Sequence, residues 1–197
     1  MSVRPLAHAM QQDNISGGMR PDPSIFTLIR LRAKSSPRAI VWAPGKVNSL
    51  STPAGRQNIS SRLSQLSPQD SARWGKMSVH QMICHLDDSY KVALGEKSAS
   101  PATGLLQRTL LKSLALDVPI TWGKGFPTRP EMEQGKGGSP PIEFRQDLDS
   151  LLSTFARFCD ALLTPHLPHP IFGPMTAKDW MRWGFLHADH HLRQFGR

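Results

Sequence analysis

The sequence predicts an all-α protein, a four-helix bundle, on three observations. Four principal segments of about 12 to 20 residues carry apolar side chains at helical spacing. Most open on a Ser or Thr cap, and they are closed by Gly or Pro. No segment alternates apolar and polar residues over the length of a sheet strand, and no internal repeat is present. With 197 residues and 39% hydrophobic side chains there is material for one sizeable core. Seventeen Pro and fifteen Gly leave a good share of the chain as loop.

Residues 1–50 show no sustained period and are rich in Pro, Gly, Ser and Arg. They read as a disordered or loosely packed basic extension, or as a translation start placed too far upstream. The bundle is expected over 51–197. Thr52-Pro53 reads as a cap followed by Pro at the first helical position, and Ile59, Leu63 and Leu66 give that helix an apolar face. Ser67-Pro68-Gln69-Asp70 repeats the device and predicts a short turn of helix ending near Trp74-Gly75. Ser78-Val79-His80-Gln81 is a capping box, opening a helix that runs to about Leu94 and stops at Gly95. Its inward stripe is Met82, His85, Leu86, Ser89, Val92 and Ala93.

Leu105 to Leu116 is a Leu-rich helical segment, and residues 117–141 form a long Gly/Pro-rich loop of the length that lids and binding loops have. Ser139-Pro140 is expected to start the third main helix, with Phe144, Leu148, Leu151, Phe155, Phe158 and Leu162 on one face. The last helix begins at Thr176, with Asp179 completing a capping box. Its stripe is Trp180, Gly184, His187, His191 and Phe195.

Composition excludes several classes. The two cysteines, Cys84 and Cys159, cannot make a disulfide framework. No apolar run nears the ~20 residues of a membrane span, and the N-terminus lacks a signal-peptide core, so the cytoplasm is the expected compartment. The net charge of +9 lies mostly in the extension: residues 1–60 carry a balance of +6 and residues 61–197 only +3. A nucleic-acid partner would place its basic patch on the folded body, so neither nucleic acid nor membrane is expected as a partner.

Five of the eight histidines lie on two predicted helices; His8, His166 and His169 fall in the extension or in Pro-rich loop. Residues four apart are ~40° apart round a helix, so His187 and His191 project together, on the stripe that faces the core. His85 holds a core position on the second marked helix. A lone buried histidine is ordinarily a hydrogen-bonded core residue. Three that can meet across a bundle are also a metal-ligand set with an open position, suited to Zn²⁺, Ni²⁺ or Fe²⁺. His190 is rotated ~60° from His187 and is an alternative ligand or a neighbour of the ligands; His80 is expected at the surface. Cys84 is ~100° round from His85 and is expected to be a buried, inert thiol. Gln81 and Asp88, each about one turn from His85, and Asp189 and Gln194 on the last helix are candidates to orient an imidazole. No Ser-His-Asp set stands out, and the glycines at 123, 125, 135, 137 and 138 lack the strand-to-helix setting of a phosphate loop.

Trp74-Gly75-Lys76-Met77-Ser78, the run Gln81 to Leu86 and the ending His187-Ala188-Asp189-His190-His191-Leu192-Arg193-Gln194-Phe195-Gly196 resemble the DinB/YfiT-like metal-binding superfamily. More narrowly, with the spacers at 127–128, 137–141 and 172–174, they resemble an uncharacterised domain-of-unknown-function branch of it. The resemblance spans about residues 55–196. It implies a four-helix bundle of DinB/YfiT-like type whose metal ligands are His85, His187 and His191, the three that helix phase brings together. It also implies metal-dependent transfer of low-molecular-weight thiols, or related isomerase or hydrolase chemistry. The commoner ending is His-His-Arg-Gly-Gln. Here Gln194 keeps its offset but the Arg is displaced by one, so no thiol-binding role is carried to Arg193.

The expectation is therefore an enzyme holding one divalent ion per chain at His85, His187 and His191. That ion would activate a thiol or water for transfer or hydrolysis on a small molecule, with the 117–141 loop closing over it. The alternative is a non-catalytic bundle with a structural or vestigial metal, acting in dimerisation or interaction; a homodimer is compatible with either.

Overall fold

The computed structural model describes residues 48–102, 104, 106–118, 121–125, 128–161 and 168–197. Residues 1–47, the start of the Leu-rich segment at Leu105, Leu162 and His166 lie outside these. All described residues fall in one of the chain's two units, Ala43–Arg197.

Local chemistry sets the helix ends. In α1 (Pro53–Leu63) the Thr52 hydroxyl accepts from Gly55 N at 3.1 Å, and Pro53 occupies a first-turn position that has no need of an N–H donor. The capping box of α2 (Val79–Leu94) is complete: Gln81 N donates to Ser78 Oγ, and Ser78 N donates to Gln81 Oε1. Gly95 ends it at φ +78°, the left-handed position that favours glycine. The Leu-rich segment forms a π-helical stretch, Gln107–Leu111, that runs into a short helix α3 (Lys112–Leu116). Among the described residues of the long loop only Pro130–Met132 is regular, a 3₁₀ turn. Helices α4 (Phe144–Asp160) and α5 (Ala177–Gln194) follow, the latter under a full Thr176/Asp179 capping box.

Two expectations are corrected. Ser67-Pro68-Gln69-Asp70 makes a turn and no helix, because the Asp70 carboxylate accepts from Ser67 N and binds Arg197. The third main helix starts at Phe144, capped by the Glu143 carboxylate on Arg145 N and Gln146 N, and not at Ser139-Pro140. Pro141 disfavours the helical conformation at Pro140, and Ser139 is held by Asp88 instead. Ser49 and Leu50 are buried, and Leu50 N donates to the Met181 carbonyl of α5.

Helix α2 packs on α4 and α5, and α1 on the same two; α3 lies against α5. The core they share is led by Ile59, Leu86, Tyr90, Leu151, Phe158 and Trp180, all fully buried. Tyr90 Oη donates to the Gly184 carbonyl at 3.0 Å, satisfying its one polar atom in the apolar interior. The only β pairing among the described residues is an isolated bridge, His169 with Gly173. The described fold is all-α, and none of its helices is long and apolar enough to cross a membrane.

Candidate metal centre

His85 on α2 meets His187 and His191 on α5. The ligand atoms these three offer lie within 4.8 Å of one another, in a cluster able to hold a metal ion. The Nε2 atoms of His85 and His187 are 3.1 Å apart. Nitrogens that share a tetrahedral ion at ~2.1 Å stand ~3.4 Å apart, so this pair needs only a small adjustment to take one.

The hydrogen bonds around the rings fix where the lone pairs point. His85 Nδ1 lies 3.0 Å from the Met132 carbonyl, which can only accept, so Nδ1 carries the proton and Nε2 the lone pair. Gln194 Nε2 donates to the Trp74 carbonyl at 2.8 Å, which orients the amide so that its Oε1 faces His191 Nδ1 at 3.0 Å. His191 therefore also carries its proton on Nδ1 and keeps Nε2 free to ligate. His187 must then place its own Nε2 proton on His85, in the position an ion would take, and its buried Nδ1 has no partner. The three rings stand edge to face, with centroids 4.8 to 5.2 Å apart.

Burial holds all three neutral. His85 is pushed below the ordinary 6.5 by burial, against the opposing pull of the Met132 carbonyl and Asp88. His187 and His191 are pushed well below it, by burial first and then by the neighbouring imidazoles. Neutral imidazoles are the form that binds metal.

The other candidates lie around this centre, most of them committed elsewhere. Gln81 gives its side-chain oxygen to the capping box. Asp88 accepts from Ser139 N and Oγ and from Lys97, so it ties the loop to α2 and orients no ring. Asp189 pairs with Arg62 and Arg193. Gln194 is on His191, and the Met132 carbonyl does for His85 what Gln81 and Asp88 were expected to do. His190 stays off the trio, its ring 5.2 Å from that of His191. It makes a backbone hydrogen bond to Trp122, its Nδ1 is buried and unpartnered, and burial lowers its pKa. His80 is not a free surface residue, being bonded to Asp147 at 2.7 Å.

A cavity of about 310 Å³ adjoins the trio. Trp74, Trp122, Met132, Ile171, Phe172 and Trp183 supply apolar wall, and the long loop adds Gly123, Gly125, Thr128 and Arg129 along one side. Sequence reasoning missed His169, which also lines it. This ring is buried in a Pro-rich loop, where no helical period marks it, and its Nδ1 accepts from Ile171 N and Phe172 N at 3.1 Å each.

The family model described as protein of unknown function (DUF1569) matches residues 46–197, a stretch that holds every described helix and all three clustered histidines. The chain belongs to the DUF1569 family. No curated protein and no solved structure matches it. The DUF1569 match begins four residues before Leu50, in keeping with the burial of that side chain.

Proposed function

We propose that this DUF1569 chain is a divalent-metal-dependent enzyme acting on a small molecule, with His85, His187 and His191 as the ligands. The observation that carries the reading is the pinning of two lone pairs: acceptors that have no other use for the rings hold His85 and His191 by Nδ1. A bound ion, Zn²⁺, Ni²⁺ or Fe²⁺ by donor set, would supply the Lewis acidity to activate a thiol or a water. The resemblance to DinB/YfiT-like proteins and the four long helices around one core support the same reading, including the bundle type and thiol transfer or hydrolysis as the reaction.

The chain's own residues then have separate tasks. Met132 and Gln194 orient the ligands. Trp122 and the rest of the described loop wall give the cavity an apolar side. His190 also lines the cavity, held neutral by burial, and would be the nearby group able to accept a proton there. Among the described lining residues the charged ones are Lys76 and Arg129, with Lys124 4.8 Å over the Trp74 ring at the rim. The adjoining recess adds Glu133, which Lys136 neutralises. The substrate is accordingly an anion with an apolar portion, as a small acidic thiol would be.

The test is metal analysis of the full chain after reconstitution, beside His187→Ala/His191→Ala. The variant should hold one equivalent less, and chelation should abolish thiol-transfer or hydrolase turnover in the wild type. Equal metal in the two proteins would overturn the reading.

A further inference from the structure

Helix α2 carries a second cluster on a different face. His80 and Cys84, one turn apart, both reach Asp147 in the first turn of α4. His80 Nε2 is 2.7 Å and Cys84 Sγ 3.8 Å from Asp147 Oδ2, and the three donor atoms lie within 4.8 Å of one another. We infer that His80, Cys84 and Asp147 form a second metal site, for a borderline-soft divalent ion such as Zn²⁺, separate from the histidine trio.

The donor set is an imidazole, a thiol and a carboxylate, a combination that suits zinc and not Mg²⁺ or Ca²⁺. Around a tetrahedral ion the oxygen would stand ~3.3 Å from the nitrogen and ~3.5 Å from the sulfur, so the present spacings need only rotamer-scale movement. Two contacts already hold the donors in place. Ile142 N donates to Asp147 Oδ2 at 2.9 Å, and Phe144 packs on the His80 ring at a centroid distance of 5.4 Å. The thiol is buried, while the His80 and Asp147 side chains remain 22% and 20% exposed, so the cluster has an inner wall and an open side for a fourth, water ligand. On binding, the Cys84 S–H proton leaves to solvent and a sulfur–metal bond forms. The His80 proton now shared with Asp147 moves to Nδ1, freeing the Nε2 lone pair. Such an ion would fasten α2 to α4, as the first would fasten α2 to α5.

Cobalt separates the two sites, because only this one has a thiolate. Metal-free full-length protein titrated with Co²⁺ should develop a thiolate-to-cobalt charge-transfer band that saturates at one equivalent of this site. The band should persist in His187→Ala/His191→Ala and be lost in Cys84→Ser. Its absence from the wild type, or its survival in Cys84→Ser, would overturn the proposal without touching the histidine site. If the double variant does not fold, zinc uptake by the wild type and by Cys84→Ser decides: the wild type should hold one equivalent more, and equal zinc in the two proteins rejects the site.

Discussion

Gln194 Oε1 faces His191 only while the Trp74 carbonyl holds the amide the right way round, and Trp74 is held close by its neighbour. Gly75 sits at φ +81°, and a Cβ there would come within 2.6 Å of Gln194 Nε2. This contact joins the Trp-Gly motif to the histidine-rich ending 120 residues away. Gln194→Ala should weaken metal binding about 10- to 100-fold, read by competition with a chelator. Gly75→Ala should weaken it through the same amide, so Gly75→Ala/Gln194→Ala should bind little worse than Gln194→Ala. Additive losses would mean that Gly75 acts by another route. The three clustered histidines were legible because helix phase decides which side chains share a face. Met132, His169 and the Trp74 carbonyl were not, because they act from loops, and a carbonyl has no residue type to betray it.

At the scale of elements, helix starts were readable wherever a cap had no competitor, as at Thr52, Ser78 and Thr176. Ser139 misled because Asp88, buried and distant in sequence, claims both its N–H and its hydroxyl. The close crossing at Gly184 was legible only as a small residue in an apolar stripe. A Cβ there would stand 2.6 Å from Phe158 Cε1 and 3.0 Å from Leu50 Cδ1. Alanine would favour the helix by up to about 1 kcal/mol over glycine, but overpacking a full core costs about 1 to 3 kcal/mol. The Phe158 ring cannot swing aside, since Tyr90 and Trp183 pack against it. Gly184→Ala should therefore lower stability by about 1 kcal/mol or more in urea unfolding, and an unchanged midpoint would show that the ring has room to move.

For the whole molecule, buried neutral histidines link stability to pH. His169, on the cavity wall but outside the clustered trio, shows this: burial drives its pKa to about 3, and its Nδ1 already accepts two backbone N–H groups. In the unfolded chain the same imidazole takes a proton near 6.5, so below that pH the unfolded state binds more protons and stability must fall as pH falls. The loss runs from about pH 6.5 to about pH 3 at ~1.4 kcal/mol per unit, or about 2 kcal/mol between pH 7 and pH 5. His169→Asn can keep an acceptor for the two N–H groups and has no such titration. Urea unfolding at the two pH values should thus show a wild-type loss larger than the variant's by about 2 kcal/mol. His85, His187 and His191 are present in both proteins, so their share cancels in that difference but for the charge coupling between His169 and His187, the least of the causes acting on His187. Equal losses would mean that His169 titrates in the fold as it does in water, and that its loop opens to solvent before the helices part.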